Sequence, residues 1–487
     1  MTEPESRGPQ ASTTATSLAP EEPPEGEAGR PRLAFRGGPW ASVLPLATFV
    51  VGTGILVVLG AAAVEGMIIL AMLGLSLGMG LARDVAGYAE RVFSLMANRV
   101  ATVAVVCWLW AGAFSGILAD SGLVEAIVWV GANLQLAGGL FTVATFFFAA
   151  LFAVSVGTGL GTVLGFTAVM FPAGIVLGAH PAALMGAIYS GAAFGDNLAP
   201  ISDTTIVSAA TQETDVGGVV RSRLKYVGIA GGITALLFLV FGGRGEGIEP
   251  AQAEQLLAAT ADPAGLPMLI PAALVFVVAV SGGHFLAALT VGVLVSLVVG
   301  PLFGIFPIGQ VFHVVEGTVG GSAVDGAMAL LPISVLTLLL VTAIGMMAAG
   351  GFLEELMAWL ERHVARTRRG AEAAIVGLIS FANVCVSVNT VAMITVGPLA
   401  NVLRKRHGIH PYRSANLMDT ISCSFPYMLP YAATIVAADA IQRELALRYE
   451  FVQVIPWSQE VPFIFYGMVL FPLMILAVIT GYGRERG

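Results

Sequence analysis

The chain has 487 residues, 57% hydrophobic and 11% charged, with a net charge of −8 and a mean hydropathy of +0.87. Soluble domains carry roughly 25% charged residues, so an ordinary soluble fold is excluded. A barrel would need short alternating strands, and the long apolar runs argue instead for an all-α polytopic membrane protein. Cys107, Cys385 and Cys423 all fall in apolar segments and form neither a disulfide framework nor a zinc spacing. No basic stripe points to nucleic acid. With no nucleophile–base pair, metal motif or phosphate loop in view, neither an enzyme nor a cofactor is expected.

Residues 1–37 are polar and rich in Pro and Glu, without the short apolar run of a secretory signal. They read as a disordered tail on the cytoplasmic side. Apolar stretches then fall near 40–62, 64–83, 100–118, 138–178, 183–208 and 226–242. After the polar, acidic stretch 243–265 they recur near 266–282, 284–305, 327–349, 372–402, 414–439 and 460–482. Short echoes keep the same order in both sets. Ser155-Val156-Gly157-Thr158 matches Ser387-Val388-Asn389-Thr390, and His180-Pro181 matches His410-Pro411. Two repeats are therefore expected, over 38–242 and 266–483, joined by an outer linker.

Lys and Arg concentrate in cytoplasmic loops. In the first set Arg221, Arg223 and Lys225 follow the Asp-rich segment; in the second, Arg404, Lys405, Arg406 and Arg413 precede its counterpart. The cations change ends, so the repeats are expected to be inverted, an arrangement common among secondary transporters. A cell-membrane protein with both termini in the cytoplasm follows, with ten full spans. Segments 138–178 and 372–402 must then start and end on one side, as re-entrant hairpins turning at 155–162 and 387–391. The alternative for 138–178 is two ordinary spans with a Gly-rich turn. Residues 121–135 and 351–369 read as interfacial helices. Glu444, Glu450 and Glu460 read as acids offsetting the loop cations Arg443 and Arg448.

The chemistry concentrates in AFGDNLAPISDTT, Ala193 to Thr205. Acids at membrane depth are costly and usually functional. Pro200 interrupts the helix, and irregular backbone at that depth must line a cavity or be buried in protein. Asp196, Asn197, Ser202, Asp203, Thr204 and Thr205 form a dense set of hard oxygens, suited to an alkali cation or a proton. The competing reading is that the two acids only cap half-helices. Ser155, Thr158 and Thr162 at the first tip, and Ser387, Asn389 and Thr390 at the second, are further candidate ligands. Small residues at the first tip also fit plain helix packing. Asp419 fits an interfacial cap as well as a site. No Lys or Arg falls in the hairpins or breaks apart from Arg413, which favours cation over anion chemistry. The second break has Ala432-Ala433-Thr434 where the first has Ser202-Asp203-Thr204. The first half is thus expected to supply charge, the second neutral oxygens.

GAAFGDNLAPISDTT, Gly191 to Thr205, resembles the NhaC family of Na+/H+ antiporters, whose signature reads Gly-Asp-x-Leu-Ser-Pro-x-Ser-Asp-Thr-Thr. GTGLGT, Gly157 to Thr162, partly matches that family's Thr-Gly-Thr-x-x-Gly-Thr tip. The departures are Asn197 where the family often has lysine, Ala199 where it has serine, and Val156 for the first threonine of the tip. The resemblance implies Na+/H+ exchange with Asp196 and Asp203 as the motif acids, two inverted repeats with hairpin tips, and a homodimer. The partners it implies are membrane lipid, the transported cation and a second copy of the chain. Relatives in the wider group also carry organic acids or amino acids, and the SVNT tip at Ser387–Thr390 resembles those of dicarboxylate carriers. A Na+- or H+-coupled carrier of a small organic acid is therefore the second expectation.

Overall fold

Uncharged runs of this length satisfy their backbone groups internally by forming helices. The computed structural model accordingly shows a helical protein. It describes residues 32–59, 64–97, 99–157, 159–200, 202–243, 258, 260–280, 285–315, 317–386, 389–424 and 426–485. Its first half contains α1 (Leu44–Val58), α2 (Val64–Leu81), α3 (Val85–Met96), α4 (Arg99–Ala119), α5 (Leu123–Asn133), α6 (Gly139–Val156), α7 (Gly159–Val176), α8 (Pro181–Leu198), α9 (Asp203–Thr211) and α10 (Val216–Phe241). Its second half contains α11 (Leu269–Val280), α12 (Phe285–Leu302), α13 (Ile308–Val311), α14 (Ser322–Ala329), α15 (Leu331–Ala349), α16 (Phe352–His363), α17 (Arg368–Val386) and α18 (Asn389–His407). It ends with α19 (Pro411–Ser424), α20 (Ala433–Arg448), α21 (Trp457–Glu460) and α22 (Phe465–Thr480). A small hairpin, β1 (His313–Val315) against β2 (Thr318–Gly320), precedes α14.

The order of elements recurs. Gly159, Pro181 and Asp203 open α7, α8 and α9; Asn389, Pro411 and Ala433 open α18, α19 and α20, each 230 residues on. The first expected hairpin turn is a helix break. It falls at Gly157, whose left-handed φ of 72° suits glycine; the second, at 387–391, begins outside the described residues, between α17 and α18. Helices α5 and α16 occupy the two stretches expected to be interfacial.

Among the described residues, five helices are long and apolar enough to cross a membrane, or seven if each of two bent pairs is one span. Ten were expected from hydropathy. Two expected spans, near 266–282 and 284–305, are apolar but short helices (Pro263–Val275, Leu286–Leu302). Those at 183–208 and 414–439 are each divided into two helices, and Gly159–Val176, expected as half of a hairpin, is itself long enough to cross. The expected tail also ends early. Leu33 N donates to Ala349 O (3.0 Å), Arg36 N to Leu81 O (2.8 Å), and Phe35 is buried. Residues 1–31 lie outside the described residues.

Helix α8 is deeply enclosed. Every residue from Ala182 to Ala193 is buried. Small side chains allow this: a Cβ at Gly191 or Gly195 would collide with the backbone of α6. The same close approach seats α4 on α14, where Gly112 and Gly116 face the backbone of Gly326 and Ser322.

A buried ion network closes the end of the bundle that carries the C-terminus. Glu372 on α17 is fully buried and pairs with Arg413 Nη2 at 3.2 Å and Arg484 Nε at 2.9 Å. Arg413 also donates to Tyr226 Oη (2.6 Å) and Ala477 O (2.9 Å). Glu213 makes a different kind of pair. It is more than half exposed and meets Lys405 at 2.6 Å, a hydrogen bond that holds its carboxyl below the usual carboxylate range. Removing one partner of a buried pair strands the other, at a cost of about 3–5 kcal/mol, whereas exposed pairs contribute little. Glu372→Ala should therefore strongly lower the melting temperature in detergent, and Glu213→Ala should leave it nearly unchanged. Equal shifts from both would refute this ranking.

Candidate cation site

Helix α8 ends at Leu198 because Ala199 turns extended (ψ 119°) and Pro200 has no N–H to continue the ladder. Helix α9 resumes at Asp203. Ser202 occupies its N-cap position yet makes no side-chain cap. Its hydroxyl instead donates to Asp196 Oδ1 at 2.8 Å and lies 2.9 Å from Thr204 Oγ1. The carboxyl of Asp196 thus reaches across the break from within α8, so capping alone does not describe it. Asp196, Asn197, Ser202, Thr204 and Thr205 are all buried, and the structure brings these five together.

A guanidinium stands among them. Arg223 on α10 is fully buried and forms a contact ion pair with Asp419 Oδ2. Its Nη1 donates to the Asn197 carbonyl and to Thr205 Oγ1 (3.1 Å), and its Nε donates to Asn416 Oδ1 (2.9 Å). Asp419 Oδ2 also accepts from Thr205 Oγ1 (3.2 Å) and Ser208 Oγ (3.4 Å). Cys423, one turn along α19, lies between the carboxyls: its Sγ is 3.4 Å from Asp419 Oδ1 and 4.0 Å from Asp196 Oδ2. Tyr466 Oη on α22 donates to Asn197 Oδ1 at 3.2 Å. Five helices, α8, α9, α10, α19 and α22, therefore supply this one polar cluster.

Two expectations are corrected here. The polar core does contain an arginine, so the absence of a cation no longer argues against an anionic solute. The second half also contributes a carboxylate, Asp419, not neutral oxygens alone. Asp419 is no interfacial cap: it lies on a helix whose residues from Arg413 to Ser424 are all buried.

The remaining candidates are more dispersed. Thr162 is buried within α7, and Asn389 and Thr390 are half-buried in the first turn of α18. The side chains of Asp203, Ser155, Thr158 and Ser387 lie outside the described residues. Asn383 on α17 donates to Ser422 Oγ on α19 at 2.9 Å, tying the second hairpin to the second broken helix. Gly159 at the start of α7 packs on the hydroxyl of Tyr427, so the first tip abuts the second break.

Sequence reasoning missed Arg223, Asn416, Ser208, Tyr466 and Cys423. For Arg223 a signal existed. Val219, Arg223, Tyr226, Val227 and Ala230 are buried at helical spacing on α10. That stripe assigns the arginine to an inward face, although its neighbours Arg221 and Lys225 mark a loop.

The sequence has known relatives. Residues 30–243 match the Na+/H+ antiporter family. The chain is 31% identical over 204 residues to the Malate-2H(+)/Na(+)-lactate antiporter of Bacillus subtilis (strain 168), covering 41% of this chain and 43% of that protein. It is 30% identical over 122 residues to the Na(+)/H(+) antiporter NhaC of Alkalihalophilus pseudofirmus, covering 25% and 26%. Each match thus spans less than half the length of the curated relative. Among solved structures, the Alcanivorax borkumensis YdaH transporter aligns over 82% of this chain and 90% of its own, at 16% identity and a TM-score of 0.40. Neisseria gonorrhoeae MtrF aligns over 76% and 80%, at 14% identity and a TM-score of 0.36. The matched region contains the Asp196 break and Arg223, and over residues 30–243 the chain is similar to the Na+/H+ antiporter family.

Proposed function

We propose that the protein exchanges Na+, with Li+ or K+ as further candidates, for H+ across the cell membrane by alternating access. One observation carries this reading. Asp196 lies buried at a helix break among hydroxyls, while the nearby guanidinium of Arg223 is committed to Asp419. Burial favours a protonated carboxyl and a bound cation favours the ionised one. A proton and a cation competing for Asp196 are then sufficient for exchange. The recurring order of α7–α9 and α18–α20 and the exchanged positions of the basic clusters support inverted repeats that rock against each other. They also support cytoplasmic termini.

A second reading rests on Arg223. An arginine can hold a carboxylate in a bidentate pair. If Asp419 were protonated, Arg223 would be released toward a small organic acid. The Bacillus subtilis relative, named for malate and lactate, gives this reading weight.

Everted vesicles containing the protein decide between them. Na+ added outside vesicles with an acidified lumen should evoke proton efflux from the lumen with no organic acid present. Proton movement that requires malate or lactate would establish the second reading. No cation-evoked flux at any pH, from folded protein, would overturn the first.

A further inference from the structure

Glu460 resembles a loop acid in the sequence, but the structure buries it at a junction of the two halves. It closes α21, and only 2% of its surface is exposed. Its Oε2 accepts from Tyr189 Oη on α8 at 3.1 Å, and its Oε1 accepts from Gln442 Nε2 on α20 at 2.7 Å. Gln442 is fixed in turn, its Oε1 accepting from Ile455 N at 2.8 Å. The surrounding segment touches the second break and α8. Trp457 Nε1 donates to Met428 O beside the second (3.1 Å), and Gly186 of α8 packs on the backbone of Phe463. Glu460 is thus held by one donor from each half.

The charged and titratable groups around it are few. Helix α8 presents Tyr189, with His180 further off, its ring stacked near Phe463. Helix α20 presents Asp439, which pairs with Arg443 at 2.7 Å. The turn Val461–Phe463 brings no titratable side chain. Both described partners of the carboxyl are neutral donors, and Asp439 on α20 is itself an acid. A fully buried carboxylate without a cation is strongly disfavoured, while a neutral acid is tolerated. Ser458 and Gln459, the two preceding residues, are exposed, so a small movement of α21 would open the carboxyl to the surface. Tyr189 precedes Asp196 by seven residues, two turns on one face of α8, or about 10 Å along the helix axis.

We propose that Glu460 is a second proton-binding site of the transport cycle, on the outer side of Asp196 and shared between the halves. It holds its proton while packed between Tyr189 and Gln442. When α8 and α20 move apart, the Glu460 O–H bond breaks and the proton passes to water. The carboxylate left behind is then solvated by water in place of the donor that has moved away. The inference rests on the antiport reading, but proton binding by Glu460 can be measured without transport.

The test uses full-length protein and Glu460→Gln, which preserves side-chain shape and can still bond both neighbours. Infrared pH-difference spectra report protonated carboxyl groups directly, and currents on supported membranes report exchange. The proposal expects a pH-dependent carboxyl band that the variant lacks. It also expects the pH midpoint of exchange to move by about one unit or more, a tenfold change in proton affinity. Spectra identical in variant and wild type would overturn it. A lost band with an unaltered pH profile would also overturn it, leaving Glu460 as a packing group. If the band is lost while wild type shows no Na+-evoked flux, the antiport reading fails and the proton site stands. Glu460→Asp serves as a control on folding. It should retain a shifted band, and its absence in a folded sample would count against the proposal.

Discussion

Arg223→Met is expected to destabilise the protein more than any other single substitution at the polar core. The guanidinium is fully buried and ion-paired to an equally buried Asp419, with further bonds to Asn197, Thr205 and Asn416. Methionine nearly keeps the volume but strands the carboxylate, at a cost of about 3–5 kcal/mol. It also removes the group holding the carbonyl of Asn197, one residue from Asp196. The double variant Arg223→Met with Asp419→Leu removes both charges together. Replacing a whole buried pair with apolar residues is often neutral, so the double variant should recover most of the lost thermal stability in detergent. A double variant less stable than Arg223→Met would show that the pair is not the source of the effect. Transport should remain impaired in both, because the carboxyl of Asp419 and the backbone at Asn197 belong to the same cluster as Asp196.

Asp196→Asn should have the largest effect on function with the smallest effect on fold. The amide oxygen can still accept from Ser202 Oγ, now at 2.8 Å from the carboxyl, so the break should keep its geometry. What disappears is the negative charge and the proton that replaces it. Cation-evoked proton flux should fall at least tenfold at every pH. Stabilisation by Na+ should vanish with it; for wild type, mass action gives about 2.7 kcal/mol at a hundredfold excess over Kd. Undiminished stabilisation by Na+ in Asp196→Asn would place the cation elsewhere. Flux lost with Na+ stabilisation retained would assign Asp196 to the proton alone.

The contrast between these residues shows where sequence reasoning succeeds. Asp196 was conspicuous because an acid beside a proline in an apolar run violates the local pattern. Its cost is visible without knowing its neighbours. Arg223 and Glu460 looked ordinary, since each stands among other charged residues near the end of an apolar run. Their burial depends on which helices pack against them, and Asn416 and Tyr466 likewise gain meaning only from their partners.

The sequence by itself determined the predominantly helical membrane architecture, the break at Gly157, the break at Ala199-Pro200, and the recurring order of elements. Each follows from hydropathy, from glycine and proline stereochemistry, or from spacing, all of which act within a few residues of chain. Only the tertiary structure decided that Arg223 neutralises Asp419, that the second half brings a carboxylate to the site, and that Glu460 is enclosed. Electrostatic balance in a low-dielectric interior is set by groups a few ångströms apart in space, whatever their separation in sequence. Arg223 and Asp419, 196 positions apart, form one neutral unit only because α10 and α19 meet.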